Sequence, residues 1–184
     1  MNQTRYSTGA IILHWLIAIM VIVNWRLVEA GHHLEDAARA GYMDLHKALG
    51  ITILVLTLLR LGWRFTHRPP PLSDSLAGWE KLLARVTHTV FYILLIGLPL
   101  GGWLGTSFAG RPINYFGLFD IASLPVELDK AAAKTMFELH HTGGEIMIYL
   151  IGLHILGALK HMFWDKDGTM YRMLPIGKRP ASGD

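Results

Sequence analysis

"LHHTGGEIMIYLIGLHILGALKHMFW", residues 139–164, is the stretch on which the fold turns. It is apolar and long enough for a membrane helix, which needs about 20 apolar residues. Yet it carries His140, His141, His154 and His161. Histidine is costly in hydrocarbon and is rarely there without a partner. The fold must therefore supply partners for some of them.

Three further windows of the same kind precede it, at about 9–28, 45–65 and 82–108, with the fourth at about 137–163. Long helical apolar runs favour helices over barrel strands, which alternate in short segments. The 184 residues suit a single domain, 1–184. They are 52% hydrophobic and 17% charged, against about 25% charged for an ordinary soluble domain. With no cysteine, disulfides, iron–sulfur clusters and thiolate catalysis are excluded. No linker, repeat or nucleic-acid motif is present, so nucleic acid is not an expected partner, whereas membrane lipid is. Arg5 ahead of the first run resembles a signal peptide, but the run is long, holds His14 and Trp15, and ends in the poor cleavage site "LVEAGHH". It reads as a retained helix.

Cations set the orientation. Arg5, Arg60, Arg64, Arg68, Lys81, Arg85, Lys160, Lys166, Arg172, Lys178 and Arg179 fall on one side, and Arg26, Arg39, Lys47, Arg111, Lys130 and Lys134 on the other. Eleven against six puts both termini, including a short C-terminal tail, in the cytoplasm. The loops at about 29–44 and 109–136 then face outward. The simplest architecture is an all-α, integral-membrane, four-helix up-down bundle. Pro99 is expected to kink the third helix.

This orientation gives each histidine a depth. His14 lies near the inner end of the first helix; His46 and His140 begin the second and fourth helices at the outer face. His154 is 14 positions after His140, about 21 Å deeper and within about 40° of the same face. Two outer and two inner imidazoles on different helices make two bis-histidine pockets in the bundle core, suited to haem iron. Haem takes histidine alone, whereas zinc wants three or four ligands, often with Cys or carboxylate. A flat porphyrin also needs a small residue one turn from its ligand. At i+4, His14 has Ala18, His46 has Gly50, His140 has Gly144 and His154 has Ala158. Gly143 is expected to help Gly144 make room beside the outer site. A proton relay or metal transporter also uses intramembrane histidine, but only Glu145 lies well inside a span to serve it.

Several segments resemble the bacterial cytochrome b561 family: "ILHWLIA", "LHKALGITILVLTLLRLGWR", "GRPINYFGLFD" and "LHHTGGEIMIYLIGLH…ALKHMFWDKDGTMYRML". The resemblance covers nearly the whole chain. It implies a bacterial inner-membrane, multi-pass protein with two haems b, held by His14 with His154 and by His46 with His140. It further implies transmembrane electron transfer, with superoxide oxidised at the periplasmic face and ubiquinone reduced. Alternatives are an electron carrier for a periplasmic redox protein and a haem-bearing membrane anchor subunit of a larger complex.

Axial imidazoles on both faces close the iron to direct oxygen binding and suit one-electron transfer. Arg60, 14 positions after His46, is a candidate for the inner propionates or an ordinary positive-inside anchor. Lys47 and Arg26, at outer depth, are candidates for drawing in an anion such as superoxide, or for holding outer propionates. Arg111, Lys130 and Lys134 extend that patch or are simply solvated. Trp15, His88 and His161 are inner candidates for contacting quinone; their plainer roles are helix packing and the aromatic belt. His161 also lies close to the face of His154. His141 points about 100° away from His140 and is expected at the surface.

Overall fold

The computed structural model describes residues 5–72 and 76–175. Lys178 and Arg179, counted above in the orientation, lie outside the described residues. Four long helices dominate: α1 (Thr8–His32), α2 (Asp36–Thr66), α3 (Gly78–Phe108) and α4 (Lys130–Lys160). All four are long and apolar enough to cross a membrane. α1 packs on α2, α3 on α4, and α2 closes against α3. The protein is thus a membrane helical bundle, as its sequence predicts.

The helices outrun their apolar windows. α2 starts at Asp36 and α4 at Lys130. His46 and His140 therefore sit ten positions inside their helices rather than at the first turn, a correction of about 15 Å at each. The early turns, "DAARAGYMD" and "KAAAKTMFE", are rich in strong helix formers. Asp129 caps α4, its carboxylate accepting from the Ala131 and Ala132 N–H groups at 2.8 and 3.0 Å. Hydropathy does not register such turns, because nothing about them is apolar.

The connection after α3 is built, not loose. Strands β1 (Ile113–Tyr115) and β2 (Phe119–Ile121) form an antiparallel hairpin. Phe116 and Gly117 both take positive φ, 53° and 75°, at the two central turn positions, where glycine is at ease and phenylalanine is strained. Asn114 Oδ1 accepts from the Gly117 N–H at 2.7 Å, closing the turn. Ile113 is buried, and Tyr115 shares a hydrogen bond with Thr52 at 3.1 Å. The hairpin is thereby fastened to α2, six residues past His46.

At the other end, called inner here, the tail folds back. After α4 come a π-helical turn (His161–Asp165) and a 3₁₀ turn (Met170–Arg172). The Tyr6 N–H donates to Arg172 O, and Arg5 donates to Leu174 O. Arg172 donates to Pro71 O.

The bundle interior is open. No residue in the apolar window of α3 is buried, and large side chains such as Ile19, Leu59, Ile93 and Leu153 face outward. In lipid, helix association depends on close contact at small residues. A methyl group on Gly143 would come within 2.6 Å of Leu98 Cδ2, so Gly143 serves the α3–α4 contact rather than a cofactor pocket. One on Gly144 would meet nothing within 4 Å.

Candidate functional site

The structure brings the four predicted histidines into two facing pairs. His46 on α2 and His140 on α4 have ring centres 5.7 Å apart, with planes at 89°. His14 on α1 and His154 on α4 are 6.3 Å apart, at 74°. A metal–imidazole bond of about 2 Å places two axial ring centres about 6 Å apart across one iron. Both pairs have that spacing.

In the outer pair, one imidazole is held by backbone. His140 Nδ1 donates to Leu98 O at 2.8 Å. A carbonyl only accepts, so the proton sits on Nδ1 and leaves the Nε2 lone pair for a metal. Gly102 makes this possible: a Cβ there would lie 3.2 Å from His140 Cε1 and Nδ1. Leu98 and Gly102 flank Pro99, which lies within the continuous helix α3. Sequence reasoning missed both. The one available signal was the glycine pair one turn after the proline. His46 Nδ1 is buried and unpartnered; the backbone of buried Asn24 lies beside it without a well-formed bond. At Gly50, as at Gly144, an added Cβ would meet open space, the room that a macrocycle against the helix needs.

The inner pair sits among other rings. His154 is also 6.0 Å from His88 and 5.4 Å from Phe91. His88 keeps exposed surface despite these neighbours, so it borders an opening in the bundle. Arg60 donates through Nε to the Tyr92 hydroxyl at 3.3 Å, and its charge bears on both His14 and His154. Half-buried imidazoles facing at one-iron spacing, with open space beside Gly50 and Gly144, fit a bis-histidine haem.

The remaining candidates disperse. Lys47 is paired with Asp44 at 2.6 Å, which offsets its charge. Arg26 is exposed and lies over the Trp25 ring at 5.6 Å. Arg111, Lys130 and Lys134 line one outer groove of about 540 Å³, together with Glu138 and His141. Lys134 is 3.7 Å from Glu138. His141 is exposed and 3.7 Å from Glu145, matching its expected surface position. Trp15 donates its indole N–H to Met173 O at 2.8 Å, so the tail occupies its polar edge. His161 Nδ1 lies 2.8 Å from Asp165 and 2.9 Å from Asp167, at ion-pair distance but not aligned for a hydrogen bond. Lys160 bridges Glu80 and Asp165 at 2.8 and 2.6 Å. Burial pushes the Asp167 carboxyl up, but the Thr169 N–H and nearby His161 outweigh it and hold the group below its ordinary value.

Four membrane-length helices with imidazoles facing across the interior define a multi-pass bundle protein suited to a bis-histidine metal centre. Residues 5–175 match the family model described as prokaryotic cytochrome b561, and the chain belongs to that family. It is 34% identical to "Cytochrome b561 homolog 2" of Escherichia coli K12, over 92% of this chain and 91% of the relative. It is 31% identical to "Probable superoxide oxidase CybB" of Yersinia pestis, over 93% and 96%. A "Cytochrome b562" of Cereibacter sphaeroides is similar at 26% identity, over 94% and 97%. Membership brings haem b and electron transfer in a membrane.

Proposed function

We propose that this protein carries two haems b, one on each histidine pair, and passes electrons from superoxide outside to ubiquinone at the inner end. The observation that carries this reading is the pair of one-iron histidine spacings, 5.7 and 6.3 Å, on opposite halves of one bundle. His46 and His140 hold the outer group, and His14 and His154 the inner one. Each bound haem would supply a one-electron couple. Two superoxide anions lose one electron each and leave as O₂; ubiquinone takes both electrons with two protons and leaves as ubiquinol.

The chain's own residues do the rest. The Leu98 carbonyl orients His140. Gly50 and Gly144 leave room for the ring. Arg60 neutralises inner negative charge. Arg26 and the cations of the outer groove draw in an anionic donor, an effect that salt weakens; Lys47, paired with Asp44, contributes less. His161, backed by Asp165 and Asp167, and His88 beside the inner opening are the groups suited to meet a quinone; Trp15 supports the tail over that region. The bacterial inner membrane, with both termini cytoplasmic, fits the cation distribution. The similarity to a probable superoxide oxidase supports the choice of donor.

The test adds superoxide to purified, oxidised protein with and without ubiquinone. Rapid appearance of a reduced b-type spectrum, then quinol, is expected. Haem reduction by other donors only would remove superoxide and leave the electron carrier or anchor subunit.

A further inference from the structure

The inner end holds a cavity whose mouth is basic and whose inner wall includes His88. It measures about 740 Å³ and opens between α2 and α3. Arg64 reaches it from the last turn of α2; Lys81 and Arg85 reach it from the first two turns of α3. Lys81 and Arg85 are four residues apart and share a helix face. His88 and Tyr92 continue that stripe inward along the same wall.

What sets these three apart is that they share one cavity while other cations are paired or dispersed. Lys47, Lys134 and Lys160 all have carboxylates at hand. Arg60 has Tyr92 and Arg5 has carbonyls. Among the described residues, the side chains of Arg64, Lys81 and Arg85 make no hydrogen bond or ion pair, and no carboxylate lines their cavity. Three like charges around one apolar-walled cavity repel one another unless an anion sits between them. The outer groove, by contrast, carries its own Glu138.

Location identifies the anion. The three cations lie within two turns of the ends of membrane helices, at headgroup depth. Basic pockets between transmembrane helices at that depth suit phospholipid headgroups. The walls also include Leu61, Ala84 and Leu72, which suit glycerol and acyl carbons. We propose that this cavity binds the phosphate of an anionic phospholipid, with Arg64, Lys81 and Arg85 around the phosphate oxygens. The proposal does not rest on the quinone reading, although His88 lies on the wall of the same cavity.

The experiment uses the full chain, with its haem, in nanodiscs of phosphatidylcholine doped with phosphatidylglycerol. Native mass spectrometry then counts lipid retained after transfer to detergent. Phosphatidylglycerol is expected to stay bound in preference to phosphatidylcholine. The double variant R64Q/R85Q should weaken retention roughly 30-fold, given about a fivefold effect per cation near a headgroup. Arg39→Gln, at the opposite end of α2, should leave it unchanged. Equal retention of both lipids overturns the proposal. So does displacement by millimolar inorganic phosphate, which would mark a soluble-anion site, or displacement by a short-chain ubiquinone. If R64Q/R85Q loses b-type absorbance while keeping its lipid, the cations serve the haem propionates and the proposal fails.

Discussion

The two histidine pairs share one helix, α4, yet are held by different means. In the outer pair, His140 is fixed by main chain. His140 is tied to Leu98 O, Gly102 opens the approach, and a hairpin pinned to Thr52 closes the region. The inner pair is surrounded by side chains: His88, Phe91, Arg60 and Tyr92 lie around it, with an opening beside His88. Main-chain fixation sets geometry and gives little scope for adjustment. A polar side-chain shell can exchange partners with an incoming molecule. On the proposed reading, the outer half would hold its group still and the inner half would receive and release.

The sharpest way to break the comparison is to remove one ligand. His140→Ala is expected to cost the outer haem alone, halving the haem per protein by pyridine haemochrome assay. His154→Ala should halve it by loss of the inner haem. Loss of both haems in His140→Ala would show that the pairs are not independent.

Next comes the device that distinguishes the outer pair. Gly102→Val should push His140 off the Leu98 carbonyl and weaken outer haem retention by 10- to 100-fold, the usual cost of losing a partner behind a metal ligand. Gly97→Ala, where an added Cβ meets open space, should leave retention intact. The inner counterpart is Arg60→Gln. Removing a cation that bears on His14 and His154 makes electron uptake harder. Potentiometric titration should show the inner midpoint falling by about 60 mV, a tenfold change for one electron, with the outer midpoint unmoved.

Smaller effects belong to the tail. Trp15→Phe removes the bond to Met173 O, worth about 1 kcal/mol, and should speed proteolysis near the C-terminus without altering haem content. Asp167 has a folded value below its ordinary 3.8. Its contribution is therefore full above that value and is lost as pH falls through the folded one. Exchange of the Thr169 amide, which donates to Asp167 Oδ1 at 2.8 Å, should accelerate below about pH 4, and Asp167→Asn should abolish that dependence.

Much of this was legible in one dimension. Apolar windows of bilayer length define spans because lipid demands a hydrogen-bonded backbone over its full thickness. A 14-residue interval on a 3.6-residue helix places His140 and His154 on one face at two depths. Small residues at i+4 separated Gly144, which lines open space, from most other neighbours. Other features were illegible for definite reasons. The outer turns of α2 and α4 are polar, so hydropathy stopped short of them. Gly143 and Gly144 look alike in sequence, and only the position of Leu98 tells them apart.

The sequence by itself determined how many helices there are, which histidines can share a depth, and that no thiolate chemistry is available. Periodicity and transfer energy are properties of a chain alone. Tertiary structure decided which carbonyl orients His140, that Lys47 spends its charge on Asp44, and that Arg64, Lys81 and Arg85 line one cavity. Those depend on the relative rotation and approach of α2, α3 and α4, which side-chain packing fixes and no local pattern encodes.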